Sequence, residues 1–439
     1  MASAGVSNSA LADRVRQVAR HNGTALHCTH VDVKRWLDGA VPRPATAQYI
    51  ATALSQRAGR RVSVEEIGMA GVPQIGAVLD AGLSYPADGL AAAGLIYDLT
   101  QHELADDTQA LVSPASPAAW SETALTWLLS RPGRFREQAG NARVSMGDVA
   151  AIRATSDMFV KLDFQYGGGH ARSALAQYFA HDVRPLLKGH YTESVGRALF
   201  SVAAEITQLL GWTAYDIGRH GLAQRYQIQA LRLAQEAGDV LMCGRMLADM
   251  SHQANYLGNS SQAVQLARAA QEGAGKQASA TTRAMFYAME ARGHASAGDE
   301  LACSQALAQA ERQFAQRDTA SDPEWMAYFS AEELAGEAAH CFRDLRRPDL
   351  TQEFVTQAEL CGPEYARTLA FIRLVHAAAW LHAGEPIRAA ELATEAVSLA
   401  DGLKSARYQR YVRDLWRDLT PYATVPDIRA FGELITNLD

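Results

Sequence analysis

Three groups of residues carry most of the chemical capacity of this sequence. The string Leu162-Asp-Phe-Gln-Tyr-Gly-Gly-Gly-His170 places a carboxylate, Asp163, and an imidazole, His170, on either side of three glycines. Glycine runs allow close backbone approach and anion-binding nests, which makes Asp163 and His170 candidate ligand contacts. A phosphate loop is excluded, because no Lys-Ser/Thr follows and no strand precedes. The plainer reading is a buried Asp163–His170 hydrogen bond that holds a sharp turn between helices. The second group, Gln224, Arg225, His252, Gln253 and Asn255, lies on helical segments. Amides pair with a peptide backbone as donor and acceptor together, and arginine forks onto carboxylates, so these five are expected to contact a ligand. The third group gives nothing catalytic. His181 and His190 flank Asp182, Arg184 and Lys188 without metal-ligand spacing, and no His-Glu-x-x-His occurs. Ser251-His252 lacks a nucleophile elbow. The expectation is a non-enzyme with no metal and no cofactor.

Helices must position these groups. Ala, Leu, Gln, Glu and Arg dominate, and alternating β-branched runs are nearly absent, so the fold class is all-α. From about residue 198 the chain repeats itself: Gly218, Gly258 and Gly298 are forty residues apart, and Gly384 continues the series. Each is followed by small residues at fixed offsets: Ala223 and Ala230, Ala263 and Ala270, Cys303 and Ala310, Ala389 and Ala396. A degenerate copy runs over 341–358, where Arg346-Arg347-Pro348-Asp349 replaces the turn glycine. The pattern resembles the tetratricopeptide repeat, with longer helices or turns than its 34-residue period requires. Such units stack into a solenoid with a concave side, and Tyr408–Leu419 and Asp427–Leu438 are expected to cap its open end. The expected division is a head at 1–70, a helical connector at 71–144 with an exposed linker at 105–120, and a solenoid at 145–439.

The chain has 439 residues and a net charge of −7. That charge is unevenly spread. Residues 1–70 hold nine basic and five acidic side chains and so carry +4, which leaves −11 on the other 369. A basic head on an acidic body fits a nucleic-acid-binding module. No apolar run reaches the roughly 18–20 residues that span a bilayer, and the N-terminus lacks signal-peptide regions. Cys28, Cys243, Cys303, Cys341 and Cys361 are scattered and odd in number, which fits reduced thiols in a cytoplasmic protein. In the head, Leu11, Val15 and Val18 form a helical stripe. Thr29-His-Val-Asp32 is a capping box that starts a helix with Val33, Trp36 and Leu37 inward and Gly39 at its end. A third helix carries Ile50, Ala53 and Leu54 inward, and Ser63-Val-Glu-Glu66 is a second capping box.

A short helix ending in Trp-Leu-x-Gly-x-x-Pro resembles a Cro/repressor-type helix-turn-helix. That likeness implies that Thr29, His30, Asp32, Lys34 and Arg35 face DNA, with Arg43, Arg57, Arg60 and Arg61 as phosphate anchors. The loop Asn22–Cys28 is longer than the motif expects, so a structural cap stands as the alternative. Over nearly its full length the sequence resembles the actinobacterial NsdA-type regulators, which join a helix-turn-helix to a tetratricopeptide body. The likeness is carried by Val33-Lys-Arg-Trp-Leu-Asp-Gly39, Ser145-Met-Gly-Asp-Val149, the 162–170 string, Leu210-Gly-Trp-Thr-Ala-Tyr-Asp216, Ala223-Gln-Arg-Tyr226 and Met250–Gly258. It implies a DNA-binding, often repressive regulator of differentiation or secondary metabolism. The partners expected are operator DNA, a small-molecule or peptide effector and a second copy of the chain. A more distant likeness is to peptide-pheromone receptors built from the same two modules. The alternative function is a protein–protein adaptor with a head that does not bind DNA.

Overall fold

The computed structural model describes residues 7–21, 26–40, 42, 44–58, 62, 67, 69, 82–105, 113–130, 135, 140, 142–362 and 365–436. Backbone contacts divide the chain into two compact units, Met1–Ala81 and Gly82–Asp439. Among the described residues there is no strand, only an isolated bridge between Arg143 and His190.

The first unit contains α1 (Asn8–His21), α2 (His30–Leu37) and α3 (Pro44–Ala58). Helix α1 packs on both others. Its stripe Leu11, Val15 and Val18 meets Cys28, Val33, Ile50, Ala53 and Leu54 in one small core. Leu37, expected inward, is 58% exposed, because α2 is only two turns long and its last residue lies beyond the core. The second capping box, Ser63–Glu66, lies outside the described residues.

The second unit opens with α4 (Gly89–Leu104), α5 (Pro117–Leu129), α6 (Met146–Tyr166) and α7 (Arg172–Tyr178); α7 continues through a π-turn at Phe179–Val183 into Arg184–Leu187. Five antiparallel pairs follow: α8 (Glu193–Asp216) with α9 (His220–Ala237), α10 (Val240–Tyr256) with α11 (Ser260–Ala274), and α12 (Ala280–Ser296) with α13 (Glu300–Phe314). The last two are α14 (Ala331–Asp344) with α15 (Pro348–Ala358) and α16 (Ala366–His382) with α17 (Pro386–Leu399). Helices α18 (Ala406–Leu419) and α19 (Pro426–Thr436) close the chain.

The turn within each pair has one geometry. Gly218, Gly258, Gly298 and Gly384 adopt φ of 81°, 81°, 77° and 85°. After each glycine the next N–H bonds a carbonyl five residues back, as in Arg219 to Ala214 at 2.8 Å and Asn259 to Ala254 at 2.9 Å. This is the Schellman closure of a helix, which needs a left-handed residue. The degenerate copy keeps it without glycine: Arg346 has φ 56°, and Arg347 N–H bonds Phe342 O at 2.8 Å. The small residues that follow, Ala223, Ala230, Ala263, Ala270, Cys303, Ala310, Ala389 and Ala396, are fully buried, so paired helices approach closely. Helices of 14 to 24 residues in the first position of each pair account for a period beyond 34.

The first helices of successive pairs, α8, α10, α12, α14 and α16, pack against one another and form the inner side of a solenoid-like array. Its two ends meet. Helix α6 packs on both α8 and α16, and α18 likewise touches both. The join is made of backbone: Gly169 N–H bonds Lys404 O at 3.0 Å, and Lys404 N–H bonds Tyr166 O at 2.9 Å. Residues 113–120, expected in an exposed linker, are instead held against the array. Trp120 is fully buried on α5, and 106–112 lie outside the described residues.

Candidate functional site

Two surfaces collect the residues of interest, one in each unit. On the first, Thr29 N–H and Oγ1 both donate to Asp32 Oδ2 at 2.8 Å, closing the capping box. These bonds hold the Asp32 carboxyl below its ordinary range, the Thr29 backbone N–H contributing most. Thr29 and Asp32 therefore serve the helix start. Val33 is buried and Trp36 packs on the core, which turns His30, Lys34 and Arg35 outward, all exposed. Arg57, at the end of α3, is also exposed. Arg43, Arg60 and Arg61 lie outside the described residues.

In the second unit, the five residues expected to contact a ligand do not share one surface. Gln224 does pair with a peptide backbone in both senses, but the peptide belongs to the same chain: Ser116 N–H donates to Oε1 and Nε2 donates to Ser116 O, both at 2.7 Å. Helix α9 binds the preceding segment in the same way. Gln229 donates to Gly82 O at 2.8 Å, Arg232 to Ala87 O at 3.0 Å, and Tyr85 OH to Gln235 at 2.7 Å. Arg225 is buried and donates to Gly221 O at 2.8 Å. Gln253 is buried and donates to His220 O at 2.8 Å, and Asn255 is buried beside it on α10. Only His252 faces the inner side, its Nδ1 2.9 Å from Tyr215 OH and its ring against Trp212.

The glycine turn at 166–170 also differs from expectation. Asp163 pairs with Arg367 on α16 at 2.9 Å, not with His170. Burial pushes the Asp163 carboxyl up to about 6, against the pull of Arg367. His170 is exposed and stacks on Tyr166, ring centroids 4.6 Å apart. The reason is steric: the turn's backbone is pressed against Lys404 and Thr213, and the histidine points away from them.

The inner side of the array holds a cluster of which sequence reasoning singled out His252 alone. The residue six positions before each left-handed turn is Trp212, His252, Arg292 and His340 in the first four pairs. Helix α18 adds Arg407 and Tyr411. The Arg407 guanidinium lies among three rings, 5.3 Å from Trp212, 4.7 Å from Tyr215 and 4.9 Å from Phe371. Tyr411 stacks edge-on against Phe371 and His340, at 5.1 and 5.8 Å, with Arg343 over its ring at 4.9 Å. Arg292 pairs with Glu337 at 2.6 Å. The electrostatics have one sign. Burial, then the neighbouring arginines, push His252 and His340 well below the ordinary imidazole range. Burial pushes the Tyr411 hydroxyl up, yet Arg343, Arg292 and Arg407 outweigh it and leave it below its ordinary value. The forty-residue recurrence of 212, 252 and 292 was the available signal, because it reports a repeat position that always points inward.

Glu333 on α14 carries the opposite stress. Burial, with Glu337 one turn on, pushes its carboxyl up to about 8. The folded state then binds more protons than the unfolded chain between the ordinary carboxylate range and pH 8, so stability falls as pH rises through that window. Glu333→Gln removes the ionisation and is expected to stabilise by roughly 2–4 kcal/mol more at pH 8 than at pH 5. Urea denaturation at both pH values checks this, and parallel profiles for the two proteins would refute it.

Among comparisons with known proteins, a family model described as the SP15 N-terminal domain matches residues 1–70. No curated protein and no solved structure matches the chain. No helix among the described residues is long and apolar enough to cross a membrane.

Proposed function

We propose that the chain is a DNA-binding transcriptional regulator, its N-terminal unit engaging duplex DNA through α2 and its repeat unit acting as effector sensor and dimerisation module. The observation that carries this reading is the outer face of α2, where His30, Lys34 and Arg35 stand exposed opposite the buried Val33. A two-turn helix with a polar, basic outer face suits the major groove, where Lys and Arg reach phosphates and guanine edges. The +4 charge of residues 1–70 supports the same reading, and the −11 body is unsuited to a duplex. On the likeness to the NsdA-type regulators, the controlled genes belong to differentiation or secondary metabolism and the control is repressive.

One observation favours the adaptor as a second reading. Eight residues, 22–29, separate α1 from α2, whereas a helix-turn-helix uses a turn of about 3–4 residues before the helix that enters the groove. Gel retardation of a genomic fragment pool at two salt concentrations separates the two. The regulator reading expects specific retardation that weakens with salt, and Lys34→Ala/Arg35→Ala is expected to weaken it by at least about tenfold without altering helix content. If no fragment is retarded, with or without cell extract, the DNA reading fails and the adaptor stands.

A further inference from the structure

We propose that the inner face of the repeat array is an oxyanion-binding site, in which Arg407, Arg292 and His340 receive the carboxylate or phosphate group of a small effector. As an effector site it rests on the regulator reading above; as a binding site it stands on geometry alone. Three helices bring three guanidinium groups to one place. Arg343 on α14 stands over the Tyr411 ring at 4.9 Å, and Arg407 on α18 lies 4.9 Å from Phe371, whose ring meets Tyr411 at 5.1 Å. His340, at the repeat position that Arg292 holds on α12, meets Tyr411 at 5.8 Å. The charges of all three arginines bear on His340 and Tyr411.

Their donors are incompletely used. Arg407 is 9% exposed and Arg292 5%. Arg407 Nε and Nη1, Arg292 Nε and His340 Nδ1 are buried and have no hydrogen-bond partner among the described residues. The rings around Arg407 do not account for this. Cation–π contact engages the face of a guanidinium, whereas its N–H groups lie in the plane, where a carboxylate or phosphate binds.

The local charge is also incompletely balanced. Arg292 has Glu337 at 2.6 Å and Arg343 has Asp344 at 2.5 Å. The nearest carboxylate to Arg407 is Asp216, 3.9 Å away. Asp216 already accepts from Gly168 N–H at 3.0 Å and Ser405 Oγ at 2.9 Å, and it lies 4.0 Å from Arg367. Asp163 is already paired with Arg367 at 2.9 Å, and burial pushes the Glu333 carboxyl up to about 8, which weakens its charge near neutral pH. An entering anion would supply both the missing acceptor and the missing charge.

The test uses the full chain without DNA, so its result is independent of whether α2 binds a duplex. Inorganic phosphate and benzoate are titrated at constant ionic strength, with chloride as the control, by calorimetry and tryptophan fluorescence. Saturable binding of phosphate or benzoate, absent with chloride, is expected, and the preferred probe assigns the group. Arg407→Gln should weaken it by about tenfold or more. His340→Phe removes the ring nitrogens, keeps an aromatic ring at that place, and should weaken binding by a few-fold; it decides the matter if Arg407→Gln does not fold. No saturable binding of either probe by the native chain overturns the proposal, and so does equal affinity in the native protein and the folded variants.

Discussion

Replacing Arg172 by methionine is expected to cost the second unit about 3–5 kcal/mol, because it leaves a carboxylate buried without its main cation. Arg172 is 4% exposed and Glu103 5%. The pair is bidentate: Nε donates to Oε1, and Nη2 to Oε2 at 2.8 Å. Nη1 donates to Leu210 O and Thr213 Oγ1, each at 2.6 Å, and Tyr226 OH donates to Glu103 at 3.0 Å. One guanidinium thus joins α4, α7, α8 and α9. After Arg172→Met, Glu103 retains Tyr226 and a longer contact to Arg219 at 3.6 Å, too little for a buried charge. Glu103→Leu/Arg172→Met removes both charges and is expected to recover most of the loss, since two apolar side chains of similar volume need no partner. Urea midpoints for the four members of the cycle check this. A single-substitution loss under about 1 kcal/mol would mean that water reaches the pair.

The parts of this fold that are legible in the sequence are those set by local rules. The turn glycines are recognisable because a left-handed closure recurs at a fixed place, and even Arg346 could be located from its surroundings. The capping box at Thr29 is a four-residue signal and forms as read. What could not be read is which buried charges meet. Arg172 finds Glu103 sixty-nine residues away, and Arg367 finds Asp163 across the junction of the two ends. No periodicity encodes such partners. Gln224 and Arg225 were misplaced for a related reason: amphipathic patterning shows that a helix face is polar, not that another segment of the same chain will cover it. The candidate inner site fell between these cases. Its register is periodic in Trp212, His252 and Arg292, but Arg407 and Tyr411 come from a helix that reads in sequence only as a cap.

The second large effect concerns the junction that brings Arg407 to Trp212. Gly168→Ala is expected to destabilise the second unit by about 2–4 kcal/mol, from overpacking together with a strained or lost buried hydrogen bond. A Cβ at Gly168 would stand 2.8 Å from Thr213 O and 2.9 Å from Thr213 Cα and Asp216 Cβ. Two of these three atoms are backbone of α8, so no flexible side-chain tip can yield. Gly168 N–H donates to Asp216 Oδ2, while Asp216 Oδ1 accepts from Ser405. Displacing the turn therefore disturbs both ends of the array together. Hydrogen exchange is expected to rise at 166–169 and at 403–408 in parallel, with little change in the central pairs α10–α13. Gly94→Ala supplies the contrast. It lies within α4, nothing stands within 4 Å of its Cβ position, and the exchange should be neutral or stabilising by about 0.5–1 kcal/mol. Equal effects at the two positions would show that the close approach of Gly168 to Thr213 carries no cost. A selective loss at Gly168, with anion binding weakened alongside it, would tie the closed junction to the arginine site it assembles.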